Sequence, residues 1–91
     1  MWFMYYVYVL KSQKDNFLYI GITKDINRRI SEHNSGKTKS TRSRKPFKLI
    51  YFEVVKDREI ARVREKFLKS GCGREYIKLY IENTVGVVQP G

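Results

Sequence analysis

The chain holds one cysteine, Cys72, one histidine, His33, and two prolines among its 91 residues. A lone cysteine excludes an internal disulfide and fits a reducing compartment, so a cytoplasmic location is expected. One His and one Cys also exclude a zinc cluster of the Cys/His type. Acidic residues are scarce, nine Asp/Glu against nineteen Lys/Arg, which leaves a net charge of +10. So large an imbalance repels itself in the folded state and points to a polyanionic partner, nucleic acid before membrane. Long apolar runs are missing too. The opening MWFMYYVYVL reaches only about half the length of a bilayer-spanning helix. It has neither the basic start nor the small-residue cleavage site of a signal peptide. No membrane partner is expected.

What is present suffices for one small core. Apolar residues make up 42% of the chain, including seven Tyr, five Phe and one Trp. At this length two domains would each be too small to fold. A single domain over residues 1–83 and a frayed tail over 84–91 are therefore expected.

Residues 5–11 (YYVYVLK) and 17–22 (FLYIGI) read as strands, joined by a polar turn short enough for an antiparallel hairpin. Thr23 or Asp25 can cap a helix running to about Asn34. Residues 35–46 form a loop, and 47–55 (FKLIYFEVV) a third strand. Asp57 opens a second helix to about Ser70 with Ile60, Val63 and Phe67 as its apolar stripe. Gly71 and Gly73 end it, and residues 74–82 form a third helix. The order ββαβαα predicts an α+β fold, a small three-stranded antiparallel or mixed sheet flanked by helices.

Tyr6-Val7-Tyr8 lies on the first strand and Tyr19-Ile20-Gly21 on the second; Arg29 follows Tyr19 by ten residues, His33 follows Arg29 by four, and Glu65 sits in REKFLK on the second long helix. This ordered set resembles the GIY-YIG nuclease family, in particular its small single-domain bacterial members and the nuclease domain of the excision-repair incision protein. The likeness extends over residues 5–80, with Tyr6 and Val7 replacing the Gly and Ile of the first motif. It implies a divalent-metal-dependent endonuclease acting on DNA phosphodiesters with little sequence preference, in repair or recombination.

The roles it implies have physical counterparts. Glu65 offers a hard oxygen to Mg²⁺ or Mn²⁺ and leaves the remaining positions to water and phosphate. Arg29 offers a planar fork of donors to phosphate oxygens. Tyr19 is the expected general base toward the attacking water. Tyr8 is its partner, and His33 a proton relay or hydrogen-bond donor. Lys37, Lys39, Arg42, Arg44, Lys45 and Lys48, with no acid among them, are expected to hold the nucleic-acid backbone. Ser40 and Thr41 could add phosphate hydrogen bonds.

Plainer readings compete with these. Taken singly, Tyr8 and Tyr19 are core or sheet tyrosines, His33 a structural histidine, and Glu65, lying off the Ile60/Val63/Phe67 stripe, a solvated acid. Gly21 marks a weak strand point or a close approach of phosphate or helix to the backbone. Trp2, Phe3 and Tyr5 are core rather than base-stacking surfaces. Tyr8 and Tyr19 share a face if they pair across the hairpin, and a one-residue slip would separate them. The alternative function is a catalytically silent nucleic-acid-binding module on the same fold; a small RNA-bound basic protein is a third. With no room here for a specificity domain, a protein partner could supply one.

Overall fold

A computed structural model describes residues 4–84, with burial described through residue 81. The strands are β1 (Tyr5–Ser12), β2 (Leu18–Thr23) and β3 (Phe47–Val55), the helices α1 (Ile26–Asn34), α2 (Arg58–Lys69) and α3 (Gly71–Thr84). The sheet is antiparallel throughout, in the order β2-β1-β3. Trp2, Phe3 and most of the expected tail lie outside the described residues.

Local chemistry accounts for most of the boundaries. In the β1–β2 turn the Ser12 hydroxyl accepts from the backbone N–H groups of Lys14 and Asp15, and Asp15 Oδ1 accepts from that of Phe17. Asn16 takes a positive φ of 63°, the left-handed conformation that Asn tolerates better than most residues. Phe17 is thereby left in the turn and β2 begins at Leu18. Asp25 and Asp57 cap α1 and α2 by accepting from Arg28 N and Ile60 N. Gly36, at φ 84°, closes α1: its N–H donates to His33 O, and the N–H of Lys37 donates to Glu32 O.

Alternation along the strands sends side chains to two faces. One face carries Val7, Val9, Ile20 and Tyr51 against Ala61, Leu68 and Ile77 of α2 and α3. The other carries Tyr8, Leu10 and Phe47, partly covered by Ile26 and Ile30 of α1. Burying an aliphatic such as Leu68 or Ile77 contributes roughly 1.5–3 kcal/mol.

Two expectations are corrected. The stripe Ile60/Val63 is not core: these residues are 45% and 66% exposed, while Ala61 and Leu68 are buried. Two faces of α2 carry helical apolar spacing, and the face with the smaller residue turns inward, letting the helix approach the sheet. Glu65, four residues after Ala61 and three before Leu68, consequently lies on the inward side. The glycines do not separate α2 from a later α3 either. Ser70 ends α2, and α3 starts at Gly71. A Cβ on Gly73 would stand 1.9 Å from the Phe67 carbonyl oxygen and 2.5 Å from Leu68 Cα, so this glycine serves the close approach of the two helices.

Candidate active site

Tyr8 and Tyr19 do not pair directly. Tyr8 lies opposite Gly21 and Tyr19 opposite Leu10. An offset of two residues preserves the face, and the rings sit 6.2 Å apart between centroids. Gly21 is the condition for this arrangement. A Cβ there would meet Tyr8 Oη at 2.6 Å, Tyr8 Cζ at 2.8 Å and Tyr19 Cε2 at 3.1 Å. The close approach at Gly21 is therefore made by the Tyr8 ring, not by phosphate or a helix.

From α1, one turn brings two groups onto Tyr8. Arg29 Nε donates to Tyr8 Oη at 3.3 Å, and His33 Nε2 lies 3.2 Å from the same oxygen. The His33 ring also packs against Tyr19, centroids 4.7 Å apart. Tyr8 and His33 are buried, whereas Tyr19 is half-buried. Arg29 is the inward member of its pair, its side chain 33% exposed against 76% for Arg28.

Burial pushes the Tyr8 phenol up to about 12, although the Arg29 hydrogen bond pulls the other way. Burial, reinforced by the Arg29 charge, holds His33 below its usual value, which favours the neutral ring. A neutral ring has one donor and one acceptor nitrogen. The donors then run in one direction: Tyr8 O–H to His33 Nε2, His33 Nδ1–H to Thr41 Oγ1 at 2.7 Å, and Thr41 O–H to Thr38 O at 3.4 Å. Among the described residues no buried side-chain polar atom lacks a partner.

Of two further members of this cluster, the sequence reading expects Thr41 as a phosphate ligand and gives Glu32 no place. Thr41 is 1% exposed and bonds His33, so it is not a surface phosphate ligand. Glu32 accepts from Arg29 Nη1 at 2.9 Å and Arg28 Nε at 3.2 Å. Its carboxyl is held below the usual range, chiefly by the Arg29 hydrogen bond. Spacings of three and four residues on α1 were its available signal; Thr41 had none, being joined to His33 only through the fold.

Glu65 approaches from α2 at the β2 edge. With Tyr19, Lys69 and Arg74 it lines a surface cavity of about 270 Å³. Lys69 Nζ donates to Glu65 Oε2 at 3.1 Å. A metal fits this donor set only as a single-carboxylate site, since no cluster of three or more His, Cys, Asp or Glu occurs among the described residues. That suits Mg²⁺, which keeps several waters and takes phosphate oxygens. Lys69 is no obstacle, because a partly exposed i,i+4 pair contributes only about 0.3–0.5 kcal/mol.

The six loop cations divide. Lys37, Lys39, Arg42, Lys45 and Lys48 are exposed. Arg42 Nε donates to Gly36 O. Arg44 is tied to the hairpin turn instead: it pairs with Asp15, and its guanidinium lies 4.1 Å from the Phe17 ring centroid.

The site thus consists of two motif tyrosines on one face of an antiparallel three-stranded sheet with an Arg/His helix above them. A family profile described as the GIY-YIG catalytic domain matches residues 4–77, and the chain belongs to that family. It is 39% identical to a UPF0213 protein of Clostridium perfringens over 90% of this chain and 88% of that one. It is 43% identical to a UPF0213 protein of Haloquadratum walsbyi over 88% and 90%. The solution NMR structure of a UPF0213 protein from Bacillus halodurans shares 35% identity at a TM-score of 0.52, covering 89% of this chain and 94% of that one. No helix among the described residues is long and apolar enough to cross a membrane.

Proposed function

We infer that the chain is a divalent-metal-dependent endonuclease that hydrolyses DNA phosphodiesters with low sequence specificity. The observation that carries this reading is the convergence of Tyr8, Tyr19, Arg29 and His33 on one sheet face, with Glu65 beside Tyr19 at the β2 edge. A pure binding module has no need of a carboxylate in so basic a surface.

Glu65 would hold Mg²⁺ or Mn²⁺, which when bound supplies a charge for the phosphate oxygens. Arg29, with Nε on Tyr8 and Nη1 on Glu32, retains Nη2 for a phosphate oxygen. Tyr19 is the accessible phenol and serves as the base toward the attacking water. Tyr8 keeps its proton, hydrogen-bonds through it to His33 and accepts from Arg29, so it positions rather than reacts. His33, enclosed by Tyr8, Thr41 and Tyr19, does the same. Lys37, Lys39, Arg42, Lys45 and Lys48 hold neighbouring phosphates, with Arg44 anchoring their loop to the hairpin turn.

Nicking of supercoiled plasmid and of a branched oligonucleotide, with Mg²⁺, Mn²⁺ or EDTA, tests this. Metal-dependent cleavage lost in folded Glu65→Ala and Tyr19→Phe is expected. Cleavage that survives both would remove the assigned roles. Tight, salt-sensitive binding without cleavage on any substrate would favour the silent module.

A further inference from the structure

The face that holds Tyr8 is only half covered. α1 lies over Tyr8, Leu10, Phe47 and Leu49. At the other end of the same face Phe52 and Val54 are 48% and 47% exposed. Pairing places them: Phe52 is the direct cross-strand partner of Tyr8, and Val54 that of Tyr6. Direct partners in an antiparallel ladder share a face. Tyr6 and Phe52 pack at a centroid separation of 6.0 Å with planes inclined by 56°. The result is an open aromatic shelf one strand away from the oxygen that Arg29 engages.

We propose that Tyr6 and Phe52, backed by Val54, stack an unpaired base of a single-stranded or frayed DNA whose phosphate is held at Arg29. The proposal deepens the nuclease reading and rests on it for the placement of that phosphate.

The occupant is fixed by charge and continuity. Glu53, the one acid in the three strands, lies on the opposite face and is engaged by Arg64 through two hydrogen bonds of 2.7 and 2.8 Å. The exposed Lys56 directly follows the end of β3 beside the shelf, whereas Lys24, after β2, lies over the Tyr5 ring on the opposite face. The acids at that end, Asp25 and Asp57, are committed to helix caps. An apolar protein partner would gain nothing from Lys56 and Arg29 on this side, whereas a nucleotide supplies both a π face and a phosphate. Sheet-face aromatics next to cations are a recurrent solution for unpaired bases. Duplex DNA keeps its bases stacked inside and gives the shelf no ring to receive.

The test is binding in EDTA, where nothing is cleaved, with a fluorescein-labelled oligothymidine and a hairpin duplex of equal charge as probes. Phe52→Ala should weaken single-strand binding roughly tenfold, by the usual contribution of one base–aromatic stack, and leave duplex binding unchanged. Phe52→Trp should keep single-strand affinity, and Phe52→Leu, apolar without a π face, should behave like Ala. A 2-aminopurine base in the strand should be quenched by the wild type and not by Phe52→Ala. Equal losses on both probes, or no loss, would overturn the proposal. So would a dimer seen by sedimentation that Phe52→Ala dissolves while single-strand binding persists. A wild type that never nicks but shows the Phe52-dependent preference retains the shelf and loses the nuclease reading. Metal-dependent nicking with no effect of Phe52 does the reverse.

Discussion

Gly21→Ala is the most informative single substitution. The new methyl carbon would stand 2.6 Å from Tyr8 Oη and 2.8 Å from Cζ. Comfortable separations for such atoms are about 3.5–4.0 Å, so the ring tip must withdraw by about 1 Å. Tyr8 is 1% exposed and packed among Leu10, Phe47 and Tyr19, which leaves it little room to move. Its two hydrogen bonds, at 3.2 and 3.3 Å, are already at the long end of the range, and a further 1 Å would break both. Each contributes about 1 kcal/mol, overpacking costs about 1–3 kcal/mol, and the stiffer backbone returns about 0.5–1 kcal/mol. The net loss is about 2–4.5 kcal/mol, which for a domain of this size lowers Tm by roughly 8–36 °C. Thermal unfolding of Gly21→Ala, Tyr8→Phe and the double variant measures it. Removing Oη takes away the nearest clashing atom and the bonds that resist withdrawal. The two losses should therefore fall short of adding by about 0.5–3 kcal/mol. A Tm fall below about 3 °C in the single variant, or strict additivity in the double, would refute the reasoning.

Gly73→Ala should destabilise by about 3 kcal/mol or more, although Gly→Ala within a helix ordinarily stabilises by about 1 kcal/mol. Its Cβ meets α2 backbone, and a denaturant midpoint gives the sign. His33 makes stability pH-dependent. Its folded pKa is depressed from 6.5 by burial and then by Arg29, so its contribution is full above pH 6.5 and declines as the unfolded chain takes up the proton below it. Thermal scans from pH 7 to 5 should show this slope in the wild type and lose it in His33→Gln. The depressed carboxyls of Glu32 and Glu53 act only below their ordinary value of 4.5. Lys69→Met should tighten Mn²⁺ binding about twofold, the equivalent of an i,i+4 pair, in a titration followed by Mn²⁺ relaxation; unchanged affinity would place the metal elsewhere than Glu65.

The sequence by itself determined the elements and their order. Helix caps at Asp25 and Asp57, the β-rich runs and the polar turn are signals between near neighbours in the chain, and they place β1, β2, β3, α1 and α2 within a residue or two. Arg29 was distinguishable from Arg28 because a helix fixes which side faces its own apolar stripe. Other features depended on contacts between distant segments, which only the tertiary structure could decide. The two-residue offset of Tyr8 and Tyr19 is the register of the folded hairpin, which the composition of the turn left open. Which stripe of α2 turns inward depended on packing against the sheet and α3, and that choice moved Glu65 from the outer side to the sheet edge. Thr41 reaches His33 only because the loop after α1 folds back beneath it. Local periodicity fixes a helix or a strand; it carries no information about which neighbour a face will meet, and this site is built from such meetings.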